Sequence, residues 1–395
     1  MDVVSEYLNP AAVRRTTDLV VKYVEAGNSN FNLNLDKLDA CADLVVETVK
    51  DKYPELNIPY HSRWGHFRAG RPDRLASFFK EIESFDSIEQ ARIQFDLVIP
   101  SVLLDAGAGP DWLYTEPDGF KVGRSEGLGI ASFYMFKSGA FSGDTSKKYR
   151  SDILGLSAVE EKLVGEFFQV SVNNPLFGLE GRANLVRALA DCMESNKEIF
   201  PNGRIGDLVD FLLQEHGKEI PSNKIVELIL VAFGKIWPGR LEVDGYNLGD
   251  VWHHKALDEN IVFHKLSQWL SYSLFEPLES CGITIVEPDS MTGLAEYRNG
   301  GLFVDSGVIA LKDSSLYQIK HEPSSDLIIE WRALTIYLLD KIAPIVREKL
   351  GLSKEQFPLA KVLEGGTWWT GRSLAKKYRE DSSPPIKIES DGTVF

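Results

Sequence analysis

The densest gathering of chemically active residue types is Gly249-Asp250-Val251-Trp252-His253-His254-Lys255, followed by Phe263-His264-Lys265-Leu266-Ser267-Gln268-Trp269. An acid, imidazoles, ammonium groups, an amide and two indoles fall within about twenty residues, a mixture suited to general acid–base work on a polar substrate. His264 and Lys265 open an otherwise uncharged helix. A cation there opposes the helix dipole at a cost of about a few tenths of a kcal/mol, unless an anion offsets it. Asp250 or a bound ligand would do so; a salt-bridged helix start is the alternative. A second stretch, His61-Ser62-Arg63-Trp64-Gly65-His66-Phe67, is expected outside a helix after Pro59. Arg63 offers a planar fork for phosphate or carboxylate, and Trp64 a stacking face. His61 and His66 stand five apart, not the four of a helical zinc pair. An Arg–Trp stack capping a helix remains open.

Glu330-Trp331-Arg332 is the third constellation. Arg332 has Ile328, Ile336 and Leu339 on its helical stripe, and Glu330 has Leu327, Ala333, Leu334 and Tyr337. Both charges therefore face apolar sequence, which is unfavourable unless each is paired or used. At a spacing of two they do not face each other. Asp105 ends an apolar run and opens Asp105-Ala106-Gly107-Ala108-Gly109-Pro110, which lacks the spacing of a dinucleotide fingerprint. It reads as a carboxylate at a helix end beside a permissive turn, either functional or a turn cap. In Gly123-Arg124-Ser125-Glu126-Gly127-Leu128-Gly129, the first five residues fit the nucleophile-elbow pattern. No strand or parallel sheet is evident around it, so a helix cap or surface pair stands beside a serine nucleophile at Ser125. Glu364-Gly365-Gly366-Thr367-Trp368-Trp369 has no mechanism legible from its residues.

Helices must position most of these groups. Apolar periodicity predicts helices over 11–26, 36–53, 74–85, 88–104, 157–170, 181–199, 204–216 and 222–236, with buried helices at 266–275 and 327–339. Residues 238–262 read as a long structured loop. Ile283–Val286 and Leu302–Leu311 look like short strands, and Asp305-Ser306-Gly307 supplies turn chemistry for a hairpin in a β insertion over 282–312. The segment 380–395 reads as an extended arm. No linker-like composition divides the 395 residues, so a single compact, mainly α unit is expected.

Composition narrows the function classes. Basic residues number 43 and acidic residues 58, a net charge of −15, which disfavours binding to a phosphate backbone. The three cysteines, Cys41, Cys192 and Cys281, are far apart and form no CxxC pair, so neither a disulfide framework nor a cysteine zinc site is expected. No secretory signal opens the chain, and its longer apolar stretches reach only about half the roughly 20 residues of a membrane span. A soluble, cytosolic protein is the expectation. P-loop, HExxH and EF-hand patterns are absent.

HSRWGHF, VLLDAGAGPDW, RSEGLG, NPLFGLEGR, GDVWHH, FHKLSQW, EYRNGGLFVD, EWRALT, KVLEGGTWW and PPIKIESDGTVF, in that order, give the chain a resemblance to the uracil-catabolism protein family. The family was long carried as a domain of unknown function. It belongs to a fungal and bacterial pathway that takes uracil through a ribosylurea-type intermediate to urea. A more distant resemblance, in the order of helices and turns from 95–112 to Glu330–Ala333, is to the queuosine nucleoside glycosidases, whose fold is DNA-glycosylase-like. There the matching positions depart: an expected Asp falls on Ser271, and an expected Lys falls near His253 or His254.

These resemblances imply a cofactor-free N-glycosidase that splits ribosylurea, or its 5′-phosphate, into urea and the sugar. Asp250, Glu330 and Asp105 are the expected carboxylates and His254 the proton donor. His61, Arg63, Trp64, His66, Arg124, Glu126, His264, Lys265, Gln268, Trp269 and Arg332 are expected to bind substrate. A metal-dependent amidohydrolase using His61, His66, His253, His254 or His264 with Asp250 is the runner-up. A non-catalytic partner of an upstream cyclohydrolase-like enzyme is the third reading. The expected partner is a small molecule rather than nucleic acid or membrane; homo-oligomerisation stays open.

Overall fold

The computed structural model describes residues 3–71, 73–105, 107–109, 111–237 and 241–389. Ala106 and Pro110 of the Asp105–Pro110 motif, Pro238–Arg240 of the expected loop and 390–395 of the expected arm lie outside the described residues. Helix makes up 56% of the described residues. Among the described residues the strands form only two-stranded ladders, each strand two to four residues long. The mainly α expectation therefore holds. The chain divides into two compact units, where the sequence reading favoured one. Met1–His61, Gly239–Trp269 and Glu287–Phe395 form the first, and Ser62–Pro238 with Leu270–Val286 the second. Three separate segments build the first unit, so no single linker marks a boundary in the composition.

In the first unit, Asn9 caps helix Pro10–Glu25 by accepting the Ala12 N–H at 2.8 Å. Val13, Val20 and Val24 form its buried stripe. Helix Asp326–Leu350 starts at the Ser325 cap and stops at Gly351, whose φ of 68° suits glycine. Helices Pro10–Glu25 and Leu38–Lys52 pack on it. Arg14 fastens the first of these to the Asp340 carboxylate at 2.8 Å. Helix Tyr297–Asp305 lies against helix Trp368–Tyr378 so closely that a Cβ on Gly371 would sit 2.1 Å from the Arg298 carbonyl oxygen. Gly371→Ala is therefore expected to lower unfolding stability by about 1–3 kcal/mol. A denaturant midpoint equal to wild type would refute this.

The β insertion at 282–312 is not a hairpin. Its centre is helix Tyr297–Asp305, capped by Glu296, with Leu302 and Phe303 fully buried. The Asp305-Ser306-Gly307 turn leads instead to Ile309–Leu311, which pairs antiparallel with the distant Phe31–Leu33. Leu302 and Phe303, part of the apolar run that looks like a strand, both pack on a helix instead. The stretch read as a loop at 238–262 holds the hairpins. Asp244 and Gly245, with φ of 49° and 80°, turn Glu242–Val243 back on Tyr246–Asn247. This is the Asp-Gly signal for such turns. Val251–His254 then pairs with Glu259–Val262. Near the end of the described residues, Lys387–Ile388 adds a parallel strand to Lys320–His321.

In the second unit, helix Ser87–Leu103 is the buried axis; Asp86 caps it by accepting the Glu89 N–H at 2.9 Å. Its buried Asp96 accepts from Arg204 Nε at 2.6 Å and from the Gly206 N–H at 2.9 Å, tying the helix to the 204–206 turn. Thr284–Val286 pairs parallel with Glu219–Pro221. The HSRWGHF stretch, expected outside a helix, ends in the helical turn Arg63–Phe67. The hydroxyl of Ser273 accepts the Arg63 N–H at 2.9 Å, and the Ser273 carbonyl accepts from Trp64 Nε1 at 2.9 Å.

Candidate active site

Asp105 follows the C-terminal end of helix Ser87–Leu103, where the apolar run stops. Its Oδ2 lies 3.0 Å from Arg63 Nη1, and the aspartate side chain is 9% exposed while that of Arg63 is sealed. Arg63 is held from several sides: Nε donates to Ser101 Oγ at 2.8 Å, Nη2 to the Ser101 carbonyl at 3.0 Å, and Nη1 to the Ser125 carbonyl at 3.4 Å. Nη1 is also 2.9 Å from His66 Nδ1. A guanidinium only donates, so Nδ1 accepts and the imidazole proton sits on Nε2. Glu126 adds attraction to the same arginine.

Arg182, buried at the start of helix Leu179–Ser195, closes the group. It donates to the carbonyls of Leu104, Phe177 and Gly107. Burial pushes its guanidinium down to about 10, opposed by attraction to Asp105. Burial likewise pushes the Asp105 carboxyl up, against the pull of Arg63, Ser125 and Arg182. Asp105 Oδ1 is shut off from solvent yet meets no donor in hydrogen-bonding geometry. An orphaned carboxylate oxygen is costly, and native structures keep few of them.

The RSEGLG motif explains how this group is assembled. A Cβ on Gly127 would lie 2.5 Å from the Val122 carbonyl oxygen, and one on Gly129 would lie 3.0 Å from His66 Cβ and 3.3 Å from Arg63 Cζ. The two glycines let helix Arg124–Lys137 press against both. Ser125 and Glu126 in its first turn are partly exposed, and Arg124 is exposed.

The first unit holds the other expected carboxylates. Asp250 Oδ1 accepts from Trp252 Nε1 at 2.8 Å and from Arg332 Nη1 at 2.8 Å. Its Oδ2 accepts from Arg332 Nη2 at 2.7 Å and from the Lys265 N–H at 3.0 Å. Burial works against the charge, but the Arg332 fork, the Lys265 N–H and the Trp252 N–H together hold the carboxyl well below the usual carboxylate range. Arg332 also lies over the Phe263 ring at 3.9 Å. Glu330 is buried; its Oε2 accepts the Asn30 N–H at 2.9 Å and Asn30 Nδ2 at 3.1 Å. His254, fully buried, accepts the Leu257 N–H on Nδ1 at 3.1 Å, and its Nε2 is 3.4 Å from Glu330 Oε1. These bonds fasten the Val251–Val262 hairpin to helix Asp326–Leu350.

The remaining expected binders take fixed places. Trp64 is a core residue. His264, at φ 49°, is buried with Nε2 2.7 Å from the Tyr7 carbonyl. Gln268 is enclosed with Thr292: Oε1 accepts the Thr292 N–H at 2.8 Å and Nε2 donates to the Phe263 carbonyl at 3.1 Å. Trp269 is 8% exposed. His253 is exposed, 3.3 Å from Asn260 Oδ1, and His61 pairs with Glu364 at 2.7 Å. No group of three or more His, Cys, Asp or Glu among the described residues could hold a metal ion. Nor is any helix among them long and apolar enough to cross a membrane. Sequence reasoning gave Arg182 no role, although Arg182, Val186 and Leu189 share one helical stripe, the same buried-charge signal that singled out Arg332.

Two relatives align over nearly their full lengths. One is named "Protein urg3", from Schizosaccharomyces pombe, 40% identical over 405 residues that cover 100% of this chain and 99% of the relative. The other is named "Uracil catabolism protein 4", from Lachancea kluyveri, 38% identical over 436 residues that cover 99% of each. The model of the DUF1688 family, described as proteins of unknown function, matches residues 7–395, and the chain belongs to that family.

Proposed function

We propose that this protein acts in uracil catabolism as an N-glycosidase, hydrolysing ribosylurea or its 5′-phosphate to urea and the sugar. Pathway membership is supported by the name of its full-length relative, "Uracil catabolism protein 4". The observation that carries the chemistry is Asp105: a carboxylate at a helix end, raised by burial, with one oxygen on Arg63 and the other unclaimed. Cleavage of the C1′–N bond passes through an oxocarbenium-like state, which a nearby carboxylate stabilises. The same carboxylate accepts a proton from the water whose oxygen bonds to C1′, and a raised pKa makes it the stronger base. The departing ureido nitrogen takes a proton from solvent. Exposed Arg124 suits a 5′-phosphate. Asp250 and Glu330 act in this reading as the framework of the first unit, because their hydrogen bonds go to the protein itself, and the fully buried His254 sits beside Glu330.

The test is the product pair. Purified protein incubated with ribosylurea and, separately, with its 5′-phosphate is expected to release urea and the matching sugar in equal amounts. Attack at the ureido carbonyl, the amidohydrolase reading, would yield ammonia instead of urea. No turnover of either compound would overturn the enzyme reading.

A further inference from the structure

Within the second unit, residues 168–177 lie along the chain that follows Asp105 and are fastened to it at four points. Trp112 Nε1 donates to the Phe168 carbonyl at 2.9 Å. The Gln169 side-chain amide takes both main-chain groups of Thr115: Oε1 accepts the N–H at 2.9 Å and Nε2 donates to the carbonyl at 2.8 Å. The Asn174 amide does the same for Leu113, at 2.9 Å in each direction. The Phe177 N–H then reaches the Ala108 carbonyl at 3.5 Å. Two side-chain amides thus stand where a neighbouring strand would, and they fix the register of the crossing segment.

Arg182 ties the same segment to the carboxylate turn. Its fully buried guanidinium donates to the carbonyls of Leu104 and Gly107, which bracket Asp105, at 3.0 and 3.2 Å, and also to the Phe177 carbonyl. One planar fork therefore holds the main chain on both sides of Asp105 together with that of Phe177. The Phe177 ring lies so close to Gly109 that a Cβ there would sit 2.9 Å from Cδ2, and Gly109 takes a φ of 85° that suits glycine. The ring is nonetheless 61% exposed. A single exposed aromatic is ordinary in itself. This one is held rigidly from both ends of its residue, beside the turn that carries a buried aspartate oxygen without a donor. A fixed apolar face with a polar group that lacks its partner is what a small-molecule site presents to its ligand.

We propose that Phe177 is the specificity-determining residue of the Asp105 site, and that its exposed ring covers the planar ureido group of the substrate. The identity of that group rests on the glycosidase reading above. Phenylalanine brings neither donor nor acceptor, so it selects by flatness and apolar contact rather than by hydrogen bonding. The ureido group is planar before the C1′–N bond breaks and planar as it departs. Phe177 therefore meets substrate and transition state equally, and its contribution falls on KM. Asp105 answers the charge that develops only in the transition state, and its contribution falls on kcat. The two roles separate in one kinetic experiment.

The experiment is steady-state kinetics on ribosylurea with full-length wild type, Phe177→Ala and Phe177→Tyr. Ligand-observed NMR titration of the same compound accompanies it, against Asp105→Asn with and without Phe177→Ala. Phe177→Ala is expected to raise KM about tenfold with kcat within about twofold of wild type, and Phe177→Tyr, which keeps the ring, to retain the wild-type KM. Asp105→Asn is expected to bind the compound saturably, and the double variant about tenfold more weakly. Circular dichroism and the denaturant midpoint check that removing an exposed ring leaves the fold intact. A wild-type KM in Phe177→Ala, a loss confined to kcat, an equal loss in Phe177→Tyr, or a changed oligomeric state in place of a changed KM would each overturn the proposal. Turnover that does not depend on Phe177 removes this role and leaves the glycosidase. Binding that depends on Phe177, with no turnover by wild type, does the reverse, and neither binding nor turnover removes both.

Discussion

Asp105→Asn is expected to lower ribosylurea turnover by at least about a hundredfold while leaving the fold intact. The substitution keeps the shape and keeps an acceptor for Arg63 Nη1, now 3.0 Å from Oδ2. It removes the negative charge that a cationic transition state needs. Binding of the ground state depends less on that charge, so the loss falls on kcat more than on KM. The pH profile supplies an independent check. Burial holds the Asp105 carboxyl above its ordinary range. A base must be ionised to work, so the acid limb of kcat/KM should lie above the ordinary aspartate value of about 3.9. Near-normal turnover in Asp105→Asn would reject Asp105 as the key carboxylate.

Three carboxylates looked alike in the sequence because each stood beside apolar residues. Their neighbours in space separate them. Asp250 is claimed by Arg332, 82 residues away, and Glu330 by Asn30, 300 residues away. Asp105 keeps an oxygen with no such partner. Spacing along one chain shows that a buried charge needs a partner; it does not show whether the protein or a ligand provides it. The helices were legible for a related reason. Stripes such as Val13, Val20 and Val24 are local, and burial follows directly from them. Ladders such as Phe31–Leu33 with Ile309–Leu311 depend on residues far apart, and short strands carry little pattern.

The glycine motifs show the same division. Gly127, Gly129, Gly366 and Gly371 sit in helical stretches, where glycine is unfavourable relative to alanine by about 1 kcal/mol. The glycines themselves were visible in RSEGLG and LEGGTWW. What the glycines admit was not: the Val122 carbonyl, the Arg63 guanidinium, the Val45 methyl and the Arg298 carbonyl.

Breaking the Asp250–Arg332 pair from one side is expected to cost about 3–5 kcal/mol of stability, measured by denaturant unfolding of Asp250→Ala or Arg332→Ala. Arg332 is 1% exposed, so losing Asp250 leaves a guanidinium buried against Phe263 without its carboxylate. Losing Arg332 leaves Asp250, among the described residues, with the Trp252 and Lys265 N–H groups. Replacing both partners by leucine removes both buried charges and should recover much of the loss, because the pair's attraction largely offsets its own desolvation. The pH dependence has a definite sign. Asp250 is held below the usual carboxylate range in the folded chain. Its contribution is therefore fully present above the unfolded value of about 3.9 and is lost as pH falls toward the folded value. Wild type should lose stability on acidification through that window, and Asp250→Asn, with no proton to bind there, should lose less. Equal acid sensitivity in the two proteins would show that Asp250 does not anchor the hairpin through its charge.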